Sequence, residues 1–334
     1  MRLRARYLTP FVLAAALATA ACGESGSSDS GSGGGSAAGG SASGSSCAAV
    51  KGDQLVVLQD DKGLQNADNI IPAVNAAAAT ANPALLTALN KVSAVLTTDD
   101  LVQLNADVDV KRQSATDVAA AYVKDKKLDS GVSGGSGKVV IGGGNFSEPT
   151  ILANVYADVL KAAGFDASVQ ADGNRELYLP ALERGEIQVH PEYLSTLTEF
   201  LDGDEQRQVA SSDVDKTLAA LTPLAQKAGL AVGEPAKAAD QNAFAVTKAF
   251  ADKAGVTTLS QLADKCGDGS LVLAGPAECP TRPYCQPGLE STYGLKFASF
   301  LKTDAGGPLT KAALTQGKAS IGLVFSSDGS LAQQ

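Results

Sequence analysis

The sequence has few of the residues from which catalytic and metal sites are usually built. Its 334 residues include one histidine, one methionine, no tryptophan and only 5% aromatic residues. A site with several histidine ligands is therefore excluded, and a serine–histidine–aspartate triad would have to use His190. The phosphate-binding pattern GxxxxGK[ST] is also absent from the sequence, so ATP hydrolysis would belong to another subunit.

Positive charge is scarce as well. The chain has 27 Lys+Arg against 36 Asp+Glu, which gives a formal net charge of −9. No segment is rich in lysine and arginine, and binding to phosphate backbones depends on clustered cations. Nucleic acid is therefore excluded as a partner.

At roughly 150 residues per domain, the length allows two lobes that each bury a core.

Residues 1–21 are typical of a bacterial export signal. Three arginines among the first six residues precede an uncharged apolar stretch that is too short to span a bilayer permanently. The signal ends in Thr19-Ala20-Ala21-Cys22, which is similar to a lipobox and predicts a lipid on Cys22. The alternative is ordinary signal cleavage nearby. Lipidation would anchor the protein on the outer face of the cell membrane, and the lipid would be its only membrane attachment.

Residues 22–46 have the composition of a flexible tether. They consist almost entirely of glycine, serine and alanine, which cannot bury an apolar core. By square-root scaling such a segment reaches roughly 25–30 Å, enough to hold a folded domain clear of a membrane. A second flexible linker, residues 129–137, lies in the middle of the chain.

The four cysteines that remain after Cys22 predict two disulfides in an extracytoplasmic protein, with three possible pairings. We favour Cys279–Cys285, which closes a proline-rich loop, together with Cys47–Cys266. Zinc is the alternative, but the spacing does not fit a zinc site and no partner histidine is available.

Strand-like and helix-like segments alternate after the tether, which predicts an α/β fold. The predicted strands are 55–58, 139–141, 167–170, 187–189, 243–246, 271–273 and 321–325, and the predicted helices are 84–96, 98–105, 114–126, 147–163, 175–184, 193–201, 212–228 and 248–254.

Several short motifs follow one another along residues 138–334. They are Asn145-Phe146-Ser147-Glu148, Gly173-Asn174-Arg175-Glu176, Pro191-Glu192-Tyr193-Leu194-Ser195-Thr196, Thr281-Arg282-Pro283 and Val324-Phe325-Ser326-Ser327-Asp328-Gly329. Together they resemble the substrate-binding proteins of glycine betaine/choline/carnitine ABC transporters. Residues 54–128 resemble the C-terminal end of the same family but here precede everything else. We therefore interpret the chain as a circular permutant in which 129–137 joins the former ends. A separate N-terminal helical domain is the alternative.

This resemblance implies a two-lobe periplasmic-binding-protein fold of the type II-like, Venus-flytrap kind, with hinge strands between the lobes. In the permuted chain, 47–128 corresponds to the family's C-terminal part. Within it, 54–63 would belong to lobe 2 and the hinge, and 64–128 to lobe 1. Residues 138–238 would complete lobe 1, and 239–334 would complete lobe 2.

The resemblance also implies a ligand site. Tyr193 and Phe325 match cage positions, where aromatic faces hold a trimethylammonium by cation–π attraction. Arg282 is the candidate for a salt bridge to a carboxylate, whereas Asn242 and Asp68 replace expected cage aromatics. The remaining candidates are Thr196, Asn145, Phe146 and Ser326.

Four of these candidates also have a purely structural interpretation: Tyr193 as a core or interface residue, Arg282 as a surface ion-pair partner, Asn145 as a helix cap, and Asp68 as a turn or cap residue. His190, beside Pro191, is better explained as structural than as catalytic.

We therefore predict a monomeric solute-binding lipoprotein of an ABC importer, not an enzyme, with no cofactor and no metal. Its partners would be a small solute, glycine betaine or a related quaternary-ammonium osmoprotectant, and a permease with a separate ATPase subunit. The alternatives are another small polar or aromatic solute in the same fold, an exported hydrolase, and a passive envelope protein. The hydrolase lacks a credible general base and a recognisable pair of catalytic carboxylates.

Overall fold

The computed structural model describes residues 47–144, 146–173, 175–203 and 208–333. The predicted signal (1–21), the tether (22–46) with Cys22, and Asn145 lie outside the described residues. No helix in these described ranges is long and apolar enough to cross a membrane.

The chain forms two mixed five-stranded sheets. We call the sheet of order β4-β3-β5-β2-β6, with the helices packed on it, lobe 1, and the sheet of order β1-β7-β10-β8-β9 lobe 2. The strands are β1 (Leu55–Leu58), β2 (Ile70–Asn75), β3 (Lys138–Gly142), β4 (Asp166–Gln170), β5 (Val189–Tyr193), β6 (Leu230–Val232), β7 (Asn242–Thr247), β8 (Leu271–Gly275), β9 (Phe297–Lys302) and β10 (Ile321–Phe325).

Helices cover both faces of each sheet. Lobe 1 carries α1 (Ala76–Ala81), α2 (Ala84–Val95), α3 (Thr98–Asp109), α4 (Ala115–Asp125), α5 (Ser147–Ala163), α6 (Arg175–Glu183), α7 (Leu194–Asp202) and α8 (Val214–Lys227). Lobe 2 carries α9 (Lys248–Ala254), α10 (Leu259–Cys266), α11 (Gln286–Tyr293) and α12 (Pro308–Thr315). Short 3₁₀ helices span Cys279–Thr281 and Gly329–Gln333.

Burial on both faces explains why the central strands are apolar throughout. In β2, Ile70 and Val74 face one core cluster of lobe 1, and Ile71 and Ala73 face the other. Successive strand residues point to opposite faces, so a strand covered on both sides needs apolar residues at consecutive positions.

Two prolines face each other in the middle of lobe 1, where Pro72 of β2 is the register partner of Pro191 of β5. The carbonyl of Pro72 accepts a hydrogen bond from the N–H of Gly233, 2.9 Å away and just beyond the end of β6. The missing N–H of Pro72 therefore points to where β6 has already ended, which costs the sheet little.

Two chain segments, residues 68–70 and 238–241, run side by side between the lobes, and we call them the crossing segments. The N–H of Ile70 donates to the Ala238 carbonyl at 2.9 Å, and the N–H of Asp240 donates to the Asp68 carbonyl at 3.1 Å. Asn69 and Ala239 form an antiparallel bridge between these hydrogen bonds. A third connection follows β10, where the carbonyl of Ser327 accepts a hydrogen bond from Asn105 of α3 at 2.9 Å.

Two disulfides lie in lobe 2. They join Cys47 to Cys266 and Cys279 to Cys285, which is the pairing favoured from the sequence. The first closes a long loop, with a separation of 219 residues, and attaches the start of the folded chain to the end of α10. The second closes the short proline-rich loop before α11.

Candidate functional site

A cavity of about 820 Å³ lies between the two lobes, against the crossing segments. Its lining includes four aromatic side chains, six carboxylates and, among the residues described, one cationic side chain, Lys311. The aromatic residues are Phe146, Tyr193, Tyr284 and Phe325, and the acidic residues are Asp68, Asp109, Glu148, Glu199, Asp240 and Asp328.

Tyr193 is held by residues from three elements of lobe 1. It ends β5, and its hydroxyl donates to Glu148 Oε1 at 2.9 Å. Glu148 lies in the first turn of α5 and is buried, and its Oε2 accepts from Asn105 Nδ2 of α3 at 2.6 Å. Burial and the nearby Glu148 carboxylate raise the pKa of Tyr193 well above its usual value. The tyrosine is therefore a neutral hydrogen-bond donor with a fixed ring.

Glu192, the residue before Tyr193, fixes the Pro-Glu-Tyr motif to the interior of lobe 1. Glu192 is fully buried and accepts two hydrogen bonds from Arg175, at 3.2 Å from Nε and 2.7 Å from Nη2. The Tyr178 hydroxyl donates to the same carboxylate at 2.7 Å. In this chain the glutamate of the Pro-Glu-Tyr motif positions the tyrosine and does not line the cavity.

Asp68 and Thr196 contact each other at the cavity wall. Asp68 Oδ1 accepts from the Thr196 N–H at 2.9 Å, and Oδ2 accepts from the Thr196 hydroxyl. Burial raises the pKa of Asp68, although these hydrogen bonds oppose the shift. Both residues line the cavity, and Asp68 also fixes the start of α7.

The other sequence candidates fall into two groups. Phe146 from lobe 1, and Asn242 and Phe325 from lobe 2, line the cavity. Arg282 is exposed and is not among the lining residues. Ser326 does not line it either; its hydroxyl donates to the Ala239 carbonyl at 2.9 Å and accepts from the Gln241 N–H at 3.0 Å, which holds a crossing segment. Asn145 lies outside the described residues.

His190 is buried in lobe 1 and is not part of the cavity lining. Its ring stacks on Tyr178 with a centroid distance of 3.7 Å. Within the ranges that the structure describes, no group of three His, Cys, Asp or Glu side chains is placed to hold a metal ion.

Burial raises the pKa of three carboxyl groups in the cavity lining, those of Asp68, Glu148 and Asp240. Burial and the Glu148 charge raise the pKa of Asp240 to about 7, with a further contribution from Asp68. Burial also raises the pKa of Glu148. Lys311 does not offset these charges, because it forms an ion pair with Asp328 at 2.5 Å.

This arrangement predicts that the ligand-free protein loses stability as pH rises. A carboxyl group whose pKa is raised by folding keeps its proton in the folded state at pH values where the unfolded chain has already lost it. The stability therefore falls as pH rises from the unfolded-state pKa to the folded-state pKa. We expect Tm to fall by at least about 2 °C from pH 5 to pH 8, corresponding to roughly 1 kcal/mol. Scanning calorimetry checks this, and Asp240→Asn should reduce the fall. A Tm that rises over this interval would contradict the prediction.

The chain is similar to proteins of one known family. A family model described as the substrate binding domain of ABC-type glycine betaine transport system matches residues 46–125 and 137–334. No curated protein matches the chain. Similar solved structures include apo YehZ from Escherichia coli, with 22% identity, a TM-score of 0.49, and coverage of 58% of this chain and 71% of that chain. Another is a glycine betaine/carnitine/choline ABC transporter, with 23% identity, a TM-score of 0.43, and coverage of 59% and 70%.

Proposed function

The chain belongs to the substrate-binding domains of ABC-type glycine betaine transport systems, and from this premise we propose that it captures a quaternary-ammonium osmoprotectant between its lobes and delivers it to the permease. Its fold is accordingly that of the periplasmic binding proteins, and its family consists of transporter components, not enzymes.

The aromatic and acidic lining of the interlobe cavity is the observation that supports this solute class. A trimethylammonium group donates no hydrogen bonds, so aromatic faces and negative charge are what can hold it. Each cation–π contact contributes about 0.5–2 kcal/mol. Tyr193 presents a fixed ring from lobe 1, and Phe325 presents one from lobe 2. A ligand between them would contact both lobes and favour their closure, which is the state a permease would recognise.

A second candidate keeps the transporter role and changes the solute. Asp68 and Asn242 line the cavity at positions where the family resemblance leads us to expect cage aromatics. A carboxylate and an amide there favour a small polar solute that donates hydrogen bonds.

Lipidation of Cys22 would place the protein on the outer face of the membrane. The tether, residues 22–46, would let a monomeric domain reach the permease, whose separate ATPase subunit would supply the energy. Substrate-binding proteins of ABC importers work outside the cytoplasm, where the two disulfides would persist.

Calorimetric titration tests the proposed solute class. The domain without residues 1–46 is titrated with glycine betaine, choline, carnitine and proline betaine. We expect saturable binding of at least one, weakened at least about tenfold in Tyr193→Ala because one cation–π face is lost. Tyr193→Phe, which keeps the ring but not the bond to Glu148, is the matched control and should retain most of the affinity. If folded protein gives no heat with all four solutes, the proposal is wrong.

The circular permutation has its own test. The family match falls on two segments separated by residues 126–136, which include most of the linker. We expect a rearranged chain, 138–334 followed by a short flexible linker and 47–128, to fold with both disulfides and to bind the same solute within about threefold. Circular dichroism measures whether the rearranged chain folds, and calorimetry measures its affinity for the solute. A rearranged chain that stays unfolded would count against the permutation.

A further inference from the structure

The cavity has an excess of negative charge that a zwitterion does not need. A betaine carries a carboxylate, which requires a cation or several hydrogen-bond donors. Among the described lining residues, Lys311 is the only cation, and Asp328 already neutralises it. Arg282 lies outside the lining. Among the described lining residues, a solute carboxylate would therefore meet the charges of Asp68, Glu148 and Asp240 with no free cationic side chain to offset them.

Two oxygen atoms of lining residues also lack a hydrogen-bond partner within the described part of the chain: Asn105 Oδ1 and Asp240 Oδ1. Asn105 is only 6% exposed, and its amide nitrogen donates to Glu148 Oε2 and to the Ser327 carbonyl. Its oxygen is therefore fixed as an acceptor. A buried acceptor without a donor is costly, and a carboxylate on the solute could not satisfy it.

Asp240 stands between the two lobes, on the crossing segment that pairs with Asp68. Its carboxylate lies within electrostatic range of Glu148 and Asp68 from lobe 1, and it in turn acts on Tyr193. Ser327, in the segment after β10, acts on the same carboxyl group and lowers its pKa. It is thus the carboxylate with a free oxygen at the centre of the acidic group.

We propose that the cleft selects cations over zwitterions and that Asp240 is the residue responsible for this selection. The inference rests on the proposed function and narrows its solute class to cations without an acidic group, for which choline is the probe. Choline and glycine betaine share the trimethylammonium group, but choline has a hydroxymethyl group where glycine betaine has a carboxylate. Comparing the two solutes therefore measures the effect of solute charge.

Bound cation and bound proton should compete at Asp240. The pKa of this carboxyl lies at about 7 in the free protein, raised by burial, Glu148 and Asp68. A cation that requires the ionised form then binds about tenfold more weakly at pH 6 than at pH 8. Asp240→Asn should abolish most of this dependence, which a purely structural role of Asp240 would leave in place.

The experiment measures binding of radiolabelled choline to the full chain in detergent micelles, with glycine betaine as competitor. We expect choline to bind at least tenfold more tightly than glycine betaine at pH 8. In Asp240→Asn the ratio should fall to within about threefold, chiefly because choline binds more weakly. Asp166→Asn, an exposed residue of β4 outside the cavity, changes the net charge equally and should leave the ratio unchanged.

The outcomes separate the two proposals. Glycine betaine binding as tightly as choline, or a ratio unchanged in folded Asp240→Asn, overturns charge selection and leaves the proposed function standing. Failure of the folded wild-type chain to bind any of the four quaternary-ammonium solutes overturns the proposed function and this inference with it. Melting temperatures of each variant establish that it is folded.

Discussion

Arg175→Ala is expected to destabilise the protein by about 3–5 kcal/mol, because it leaves a buried carboxylate without its cation. Glu192 has no exposed surface and receives two hydrogen bonds from Arg175. Only the uncharged donors Tyr178 Oη and the Tyr193 backbone N–H, among the described residues, would remain to solvate the charge. Glu192 lies in β5 immediately before Tyr193, so the same variant should also weaken solute binding.

The chain offers a matched control for this ion pair. Arg184 and Glu186 form the same two-bond geometry, with distances of 2.7 Å and 3.1 Å, but both side chains are exposed. Water screens such a pair, so Arg184→Ala should change stability little or not at all. Urea unfolding followed by circular dichroism compares the two variants. Equal losses would show that burial of Glu192 does not govern the effect.

The second large effect concerns the disulfides. In the chain-entropy description, a cross-link stabilises more when it closes a longer loop. The separation is 219 residues for Cys47–Cys266 and 6 for Cys279–Cys285. The corresponding stabilisations are about 5 and about 2 kcal/mol. We expect removal of the first bond to cost more and to release the start of the folded chain from α10.

Paired alanine variants measure this difference. The double variant Cys47→Ala/Cys266→Ala is compared with the double variant Cys279→Ala/Cys285→Ala. Removing both cysteines of a disulfide leaves no unpaired thiol. All four cysteines are almost fully buried, which makes the cavity costs comparable. Equilibrium unfolding in urea gives both free energies. A larger loss for the short loop would mean that local packing outweighs loop entropy.

Much of the fold could be predicted from short apolar runs bounded by turn residues. Strands β1 and β10 lie at the predicted residues, and α5 ends where Gly164 adopts a positive φ of 107°. Strand β2 was not predicted because Pro72 interrupts its pattern, and only the end of β6 makes a proline acceptable there. Strand β9 was missed because most of its residues are only partly buried or exposed, so no continuous apolar run marks it.

The lining of the candidate cavity could be predicted in part, because some of its residues stand in motifs and others do not. Tyr193, Thr196 and Phe325 stand in motifs that the sequence displays, and all three line the cavity. Asn105 and Asp240 also line it but are not among the site candidates that the sequence offers, and they lie far apart in the chain. These two residues reach the cavity because the crossing segments bring α3, β5 and β7 together. Pairings across such distances leave no local signal in a single sequence.

The placement of β1 has a consequence for the order in which the protein folds. This strand lies at the edge of its sheet as the structure describes it and pairs with β7, with Leu55 opposite Thr247 and Leu58 opposite Phe244. Nearly the whole of lobe 1 lies between these partners in the chain. Contacts between distant segments slow folding, since the loop must close before the pairing is rewarded. Lobe 1 can therefore assemble early, whereas lobe 2 has to wait for the C-terminal residues. Until then β1 stays unpaired and open to association with other chains.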